Sequence, residues 1–316
     1  MNSDELFEKA RRLYSARFDD PECREEAKTI LRTLANDGHR VAAYMLADIV
    51  ELDGGDEYET ILERVAIEHG DTKAAMLAGI AMMKRMDYGD KGIDRPLKLL
   101  FMAAEDRWVE AIVELGTYYL YFRSDDKAGY ERAFKLLRLV HTTRLVSLHD
   151  SAMKKLYELL GRYELNQANE GNSGDGFKEA FEAFDLAYRY GSTVACGEIG
   201  KCYFNGLGTA VDYGKALEFF RTSEHLANSK AYIGRCLLGG LGCEMDKALG
   251  IEYLRLAASE NDADGMYYLA LSTIHGNGVE ADKVEGLRLM GEAYKVGKSM
   301  DAFLYLKENC PKHFEE

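Results

Sequence analysis

Small and apolar residues alternate along this chain with a helical rhythm. A small residue is followed four positions on by an apolar or aromatic one, then by a second small one, then three further along by another apolar one. The clearest copy runs through Ala111, Leu115, Gly116 and Tyr119. Others are Ala10/Tyr14/Ser15/Phe18, Ala42/Leu46/Ala47, Ala74/Ala78/Gly79/Met82, Ala195/Ile199/Gly200/Tyr203, Ser229/Ile233/Gly234/Leu237 and Gly265/Leu269/Ala270/Thr273. Spacings of three and four place these side chains on one face of a helix. The small residues at a fixed turn predict close approach by a second helix, which Leu at that position would hold away.

A different pattern follows each of these segments, with paired apolar residues and a turn at the end. It appears at Ala27/Ile30/Leu31, Leu97/Leu99/Leu100, Ala133/Phe134/Leu136/Leu137 and Ala180/Phe181/Ala183/Phe184. Gly38-His39, Gly70-Asp71, Gly191-Ser192 and Gly297-Lys298 are the expected stops. Glycine accepts the left-handed conformation that ends helices, and a polar cap is the ordinary reading of His39 and His69. Pro96 stands where such a second helix begins, a place that tolerates proline.

One line is written three times, at offsets of 34 and 36 residues: GLGTAVDYGKALEFF from Gly206, GLGCEMDKALGIEYL from Gly240 and GNGVEADKVEGLRLM from Gly276. The Gly-x-Gly pair, the Asp that follows (Asp212, Asp246, Asp282) and the apolar run fall in register without a gap. A period of this size means stacked supersecondary units. The predicted fold is therefore all-α, a solenoid of about eight antiparallel helix pairs: 1–39, 40–71, 72–108, 109–146, 147–192, 193–228, 229–262 and 263–299, with a short capping segment over 300–316. Length alone would prompt two globular domains, but a solenoid grows by adding units, so a single array over 1–316 is expected. Its irregular part is 1–192 and its regular part 193–299. The fifth unit carries a long predicted loop, Asn166 to Gly176, which stretches the spacing from Ala152 to Ala195 to 43 and is the expected site of flexibility or proteolysis.

Composition narrows the partners. Net charge is −14, from 40 basic and 54 acidic residues, which argues against nucleic acid or an anionic membrane surface as the main partner. The N-terminal stretch is charged from its fourth residue and shows no signal pattern, and the most apolar stretch, Trp108 to Phe122, is too short to span a bilayer and is broken by Glu110 and Glu114. A cytoplasmic location is the expectation. The 6 cysteines form no Cys-x-x-Cys pair. Cys202 and Cys236 share one repeat position, and a buried thiol at a helix contact is the expected role of each.

The same residues carry no recognisable catalytic motif. The Gly-x-Gly pairs are followed by no Gly-Lys-Ser/Thr, so they read as turns between helices and not as a phosphate loop. The 7 histidines show neither His-x-x-x-His nor His-Glu-x-x-His spacing, and there is no Gly-x-Ser-x-Gly elbow. No catalytic residue, metal or cofactor is expected.

The repeated residues resemble the Sel-1-like repeat, a relative of the tetratricopeptide repeat. The resemblance rests on Gly206-Leu207-Gly208 with Asp212, Gly276-Asn277-Gly278-Val279 with Asp282, Leu115-Gly116 with Tyr119, and Ala103-Ala104. It is strong over 193–299, fair over 72–146 and weak in the first, second and fifth units. It implies a right-handed superhelix of antiparallel helix pairs and a role as a scaffold or adaptor for other proteins. Some secreted bacterial relatives carry a cysteine pair in every repeat, and this chain departs from that pattern.

In such folds the first helices line the concave side. Positions three before and one, four and five after the second small residue are then candidates for partner contact. They are Tyr44; Met76, Ile80 and Met83; Val113, Thr117, Leu120 and Tyr121; Lys201 and Phe204; Arg235; and Tyr267, Ile274 and His275. The apolar and aromatic members suit a peptide groove. Lys201 and Arg235 occupy one position in adjacent units, where a pair of cations suits a carboxylate. The reading is a module that binds a peptide or helix of a partner protein. Two alternatives stand beside it: a regulatory or immunity protein for one cognate effector, and a weak hydrolase of the β-lactamase-like kind.

Overall fold

The computed structural model describes residues 2–15, 20–53, 57–86, 92–123, 125–143, 150–171, 175–297 and 300–309. Phe18, His149, Lys298, Cys310, His313, residues 172–174 of the predicted loop and the end of the capping segment lie outside these. Among the described residues the chain forms 17 helices and no strand.

Two compact units divide the chain, Met1–Leu159 and Leu160–Glu316. The first holds α1 (Ser3–Ser15), α2 (Pro21–Asn36), α3 (Arg40–Leu52), α4 (Tyr58–His69), α5 (Thr72–Arg85), α6 (Asp94–Glu105), α7 (Val109–Tyr121), α8 (Lys127–Thr143) and the start of α9 (Asp150–Asn169). The second holds the remainder of α9, then α10 (Gly176–Arg189), α11 (Thr193–Asn205), α12 (Tyr213–Thr222), α13 (Ala227–Gly239), α14 (Lys247–Ser259), α15 (Ala263–His275), α16 (Lys283–Gly297) and α17 (Met300–Asn309). In both, consecutive helices pack side by side as hairpins, and first helices of successive pairs also touch: α1 meets α3, α5 meets α7 and α13 meets α15.

The small residues do what their spacing predicts. A Cβ added at Gly79 would lie 2.8 Å from Leu100, one at Gly116 2.9 Å from Leu137, and one at Gly200 2.5 Å from the Phe220 ring. At Gly234 it would lie 2.8 Å from the carbonyl oxygen of Gly250, so two backbones meet there. Around these contacts sit fully buried Leu100, Leu137, Phe220 and Leu254. Deleting a buried Phe or Leu from such a site costs about 2–5 kcal/mol.

The thrice-written line resolves into three devices. Its first glycine (Gly206, Gly240, Gly276) ends the first helix in the left-handed conformation, with φ of 70°, 62° and 70°. Its second (Gly208, Gly242, Gly278) also has positive φ and rests on the start of the preceding pair's second helix. A Cβ at Gly208 would stand 2.2 Å from the carbonyl oxygen of Phe177, and one at Gly242 2.4 Å from that of Tyr213. Only glycine lets backbone come that near. The Asp then caps the next helix: Asp212, Asp246 and Asp282 accept from the backbone N–H groups of Lys215, Leu249 and Glu285, each at 3.0 Å. A cap of this kind contributes about 1 kcal/mol.

His39 caps α3 through Nδ1, which accepts from the Ala42 N–H at 3.2 Å. Cys196, Cys202 and Cys236 are buried free thiols. The predicted loop from Asn166 is a correction. The α9 helix runs on through Asn169, because Ala168 is buried on its inner face and polar residues on the other face do not stop a helix.

Candidate partner-binding face

In the first unit the candidate side chains come from α3, α5 and α7. Met76 and Met83 are buried, 7% and 1% exposed, so they belong to the packing and are not free for a partner. That burial is set by neighbouring helices, which spacing on one helix does not reveal. Tyr44 is half-buried; its hydroxyl donates to the Asp71 carboxylate at 2.8 Å and Lys73 lies over its ring. Ile80, Val113, Thr117 and Leu120 are half-buried, and Tyr121 is exposed with Lys155 Nζ 5.8 Å from its ring centroid. Thr117 donates its hydroxyl to the Val113 carbonyl at 2.9 Å, so it faces its own helix.

Glu114 sits among them on α7. Burial pushes its carboxyl above the usual glutamate range, and the charges of Lys84 and Lys155 oppose that shift. Sequence reading passed over Glu114 because it lies two places before Gly116, outside the positions chosen for contact.

In the second unit α11, α13 and α15 carry a ladder of rings and cations. Phe204 is 6% exposed and packs edge-on to Tyr232, with centroids 5.3 Å apart. It too is core and not a free contact, because α12 and α13 close over it: Tyr213 and Phe220 add further ring contacts. Arg235 is half-buried with its guanidinium carbon 4.5 Å from the Phe204 centroid, 5.3 Å from that of Tyr232 and 4.0 Å from that of Tyr268. Lys201 is half-buried near Glu198, 3.7 Å away, and that carboxylate also meets Arg162 at 3.6 Å. Lys201 Nζ lies 5.8 Å from the Tyr232 centroid.

Burial pushes the Tyr232 hydroxyl up to about 12 and raises that of Tyr268 further, so both stay neutral. Tyr267 is half-buried and crosses Tyr268 edge-on at 5.0 Å; Ile274 is half-buried and His275 exposed. A pocket of about 330 Å³ opens here between Arg235, Tyr268, Leu238, Leu271, His275 and Asn277.

Tyr232 and Tyr268 are the members sequence reading missed. Both stand two places before the second small residue, so a Tyr repeated at one register position in adjacent units was the available signal.

Hydrolytic chemistry finds little purchase. Thr193 Oγ1 and His225 Nε2 are 3.5 Å apart at the surface, too far for efficient proton transfer. Burial pushes the Cys202 and Cys236 thiols up to about 12, away from the reactive thiolate. Among the described residues no group of three His, Cys, Asp or Glu side chains is placed to hold a metal ion, and no helix is long and apolar enough to cross a membrane.

Comparison with known proteins places these features. The Sel1 repeat family matches residues 109–139, 183–223, 227–262 and 263–298. Comparison with curated proteins finds no match. Among solved structures, the chain is similar to c5321, a protective antigen present in uropathogenic Escherichia coli strains that displays an SLR fold. The identity is 18% and the TM-score 0.62, over 94% of this chain and 65% of that one. This chain thus spans a little under two thirds of the antigen's length. It is also similar to a Sel1 repeat protein from Oxalobacter formigenes, at 19% identity and a TM-score of 0.55, over 77% of this chain and 94% of that one. Likeness at these identities speaks for the fold. Four stretches of the sequence thus carry Sel1 repeats, and the helix hairpins of each unit are similar in fold to solved Sel1-like repeat proteins.

Proposed function

We propose that the chain is a protein-interaction scaffold that captures a peptide or helix of a partner on the face that first helices make within one or the other of its two units. Sel1-like repeats are typically non-enzymatic and generally mediate contacts between proteins. The observation that carries the reading is the set of side chains on that face left half-exposed or exposed by the hairpin packing. They are Ile80, Val113, Leu120 and Tyr121 in the first unit, and Lys201, Arg235, Tyr267, Ile274 and His275 in the second. Aromatic and Arg side chains of this kind dominate binding energy at protein interfaces.

Selection of peptides from a displayed library against the full chain tests this. Selected peptides fitted with a photo-crosslinker are expected to label α7 or α15, and Leu120→Asp or Tyr267→Ala is expected to weaken them about tenfold or more. Labelling confined to the second helices, or failure to select any peptide, would overturn the proposal.

A further inference from the structure

Arginines tie the second helices of the first unit to one another. Arg95 of α6 grips the Glu63 carboxylate of α4 with two N–H donors, and Arg132 of α8 meets Glu105 of α6. Between α2 and α4 the pattern changes. Arg32 of α2 donates to Glu57, just ahead of α4, at 2.7 Å. Arg64 of α4 donates to the side-chain oxygen of Asn36 at 2.9 Å and, among the described residues, to no carboxylate. Asn36 stands five places after the fully buried Leu31, as Glu105 stands five places after the fully buried Leu100. An amide thus occupies the place where a later second helix offers a carboxylate. It holds the half-buried Arg64 guanidinium without neutralising it, and a charge taken from water is costly unless it is paired.

A cleft of about 320 Å³ lies between α2 and α4, and both bridges line it. Buried Leu46 and Ile61 form its apolar floor, Arg32 and Arg64 stand on its two walls, and Thr60 adds a hydroxyl. Two guanidinium groups therefore share this lining with one carboxylate, that of Glu57. None of the described lining residues is aromatic, so nothing there stacks a nucleobase. We propose that Arg32 and Arg64 form a binding site for a phosphate monoester. Such a group carries about −1.5 to −2 charges at neutral pH and three acceptor oxygens in a tetrahedral array. It can engage donors from both walls while its ester carbon rests on the floor, whereas a planar carboxylate matches a single fork. Two sources share the chemistry: a phosphorylated serine of a bound protein and a small phosphorylated metabolite. The site lies on other helices than the face proposed for peptide capture and does not rest on that reading.

The experiment titrates 15N-labelled full-length chain with four probes at equal ionic strength and follows the Arg64 side-chain Nε–H signal, assigned by its absence in Arg64→Gln. The amide of N-acetyl-O-phosphoserine stands for the phosphorylated side chain and glycerol 3-phosphate for the metabolite. The amide of N-acetylserine lacks the phosphate, and the α-amide of N-acetylglutamic acid offers a carboxylate instead. A saturable shift with one or both phosphates is expected, about tenfold weaker with the carboxylate and absent with the serine amide, and the tighter phosphate names the source. Asn36→Asp keeps the shape of the amide and installs the counter-charge that Glu105 gives Arg132. It is expected to weaken the favoured phosphate about tenfold or more in calorimetry, as is Arg32→Gln. Circular dichroism and melting of each variant check that the fold is kept. Equal response to the serine amide, tighter binding of the carboxylate, no response of the Arg64 signal to any probe, or undiminished binding by Asn36→Asp overturns the site. Failure to select peptides on the first helices leaves these titrations unchanged, so the two readings fail separately.

Discussion

Arg235 on α13 lays its guanidinium over the ring of Tyr268 on α15, 4.0 Å from carbon to centroid, and so joins two first helices. Such a contact contributes about 0.5–2 kcal/mol depending on how far it is desolvated. A double-mutant cycle of Arg235→Gln and Tyr268→Leu in urea unfolding is expected to give a coupling of about 1 kcal/mol. Strictly additive losses would mean the pair adds nothing to the stack.

Gly171 and Gly208 share a backbone conformation, φ 74° and 69°, but not their surroundings: nothing lies within 4 Å of a Cβ at Gly171, whereas at Gly208 the Phe177 carbonyl would be 2.2 Å away. Gly171→Ala is expected to cost about 1–2 kcal/mol for the left-handed conformation alone. Gly208→Ala adds an overlap with backbone that cannot step aside, about 1–3 kcal/mol more. Thermal melts of the two variants decide it; equal losses would place the corner's contact in doubt.

Glu114 makes stability depend on pH. Burial raises its folded carboxyl above the unfolded value. Between those two values the unfolded chain has lost the proton and the folded chain keeps it, so this residue's contribution falls as pH rises through the window and stays lowered above it. Glu114→Gln has no such loss. It is expected to be more stable than the parent at neutral pH, with the difference shrinking toward about pH 4, where unfolded Glu is itself protonated. Urea midpoints at both pH values measure this, and a variant less stable at neutral pH would contradict it.

Thiol reactivity follows burial. Cys202 and Cys236 are buried and held up to about 12, whereas Cys243 is only partly buried. Iodoacetamide on the native chain is expected to modify Cys243 well before either, as read by peptide mass mapping. Equal rates would mean that the pairs α11/α12 and α13/α14 open readily.

The stacking apparatus was legible in the sequence because it repeats. Gly200, Gly234, the glycine corners and the Asp caps each reveal themselves by returning at one interval, and each has one physical job. The face for a partner was legible only in part. Ile80, Leu120 and Arg235 are reachable, but Met76, Met83 and Phe204 are buried by helices whose placement depends on how successive pairs rotate. A pattern written on one helix does not encode that rotation. Tyr232 and Tyr268 were missed for a related reason: contacts between first helices of neighbouring pairs select a position one residue away from the one the single-helix argument favours. The extension of α9 through Asn169 reflects a simpler limit, since Asn and Gln end helices only where something else stops them.

The glycine corner belongs to two pairs at once. Gly208 rests on Phe177, Gly242 on Tyr213 and Gly278 on Lys247, each at the start of the previous second helix. A whole hairpin is thus the wrong cassette for swapping parts between relatives, because it severs every corner into a donor half and a host half. A segment such as Tyr213–Gly242, from the start of one second helix to the next pair's corner, carries floor and lid together. Chimeras joined in that phase inherit an intact corner, while those joined at hairpin boundaries must hope that two unrelated halves agree.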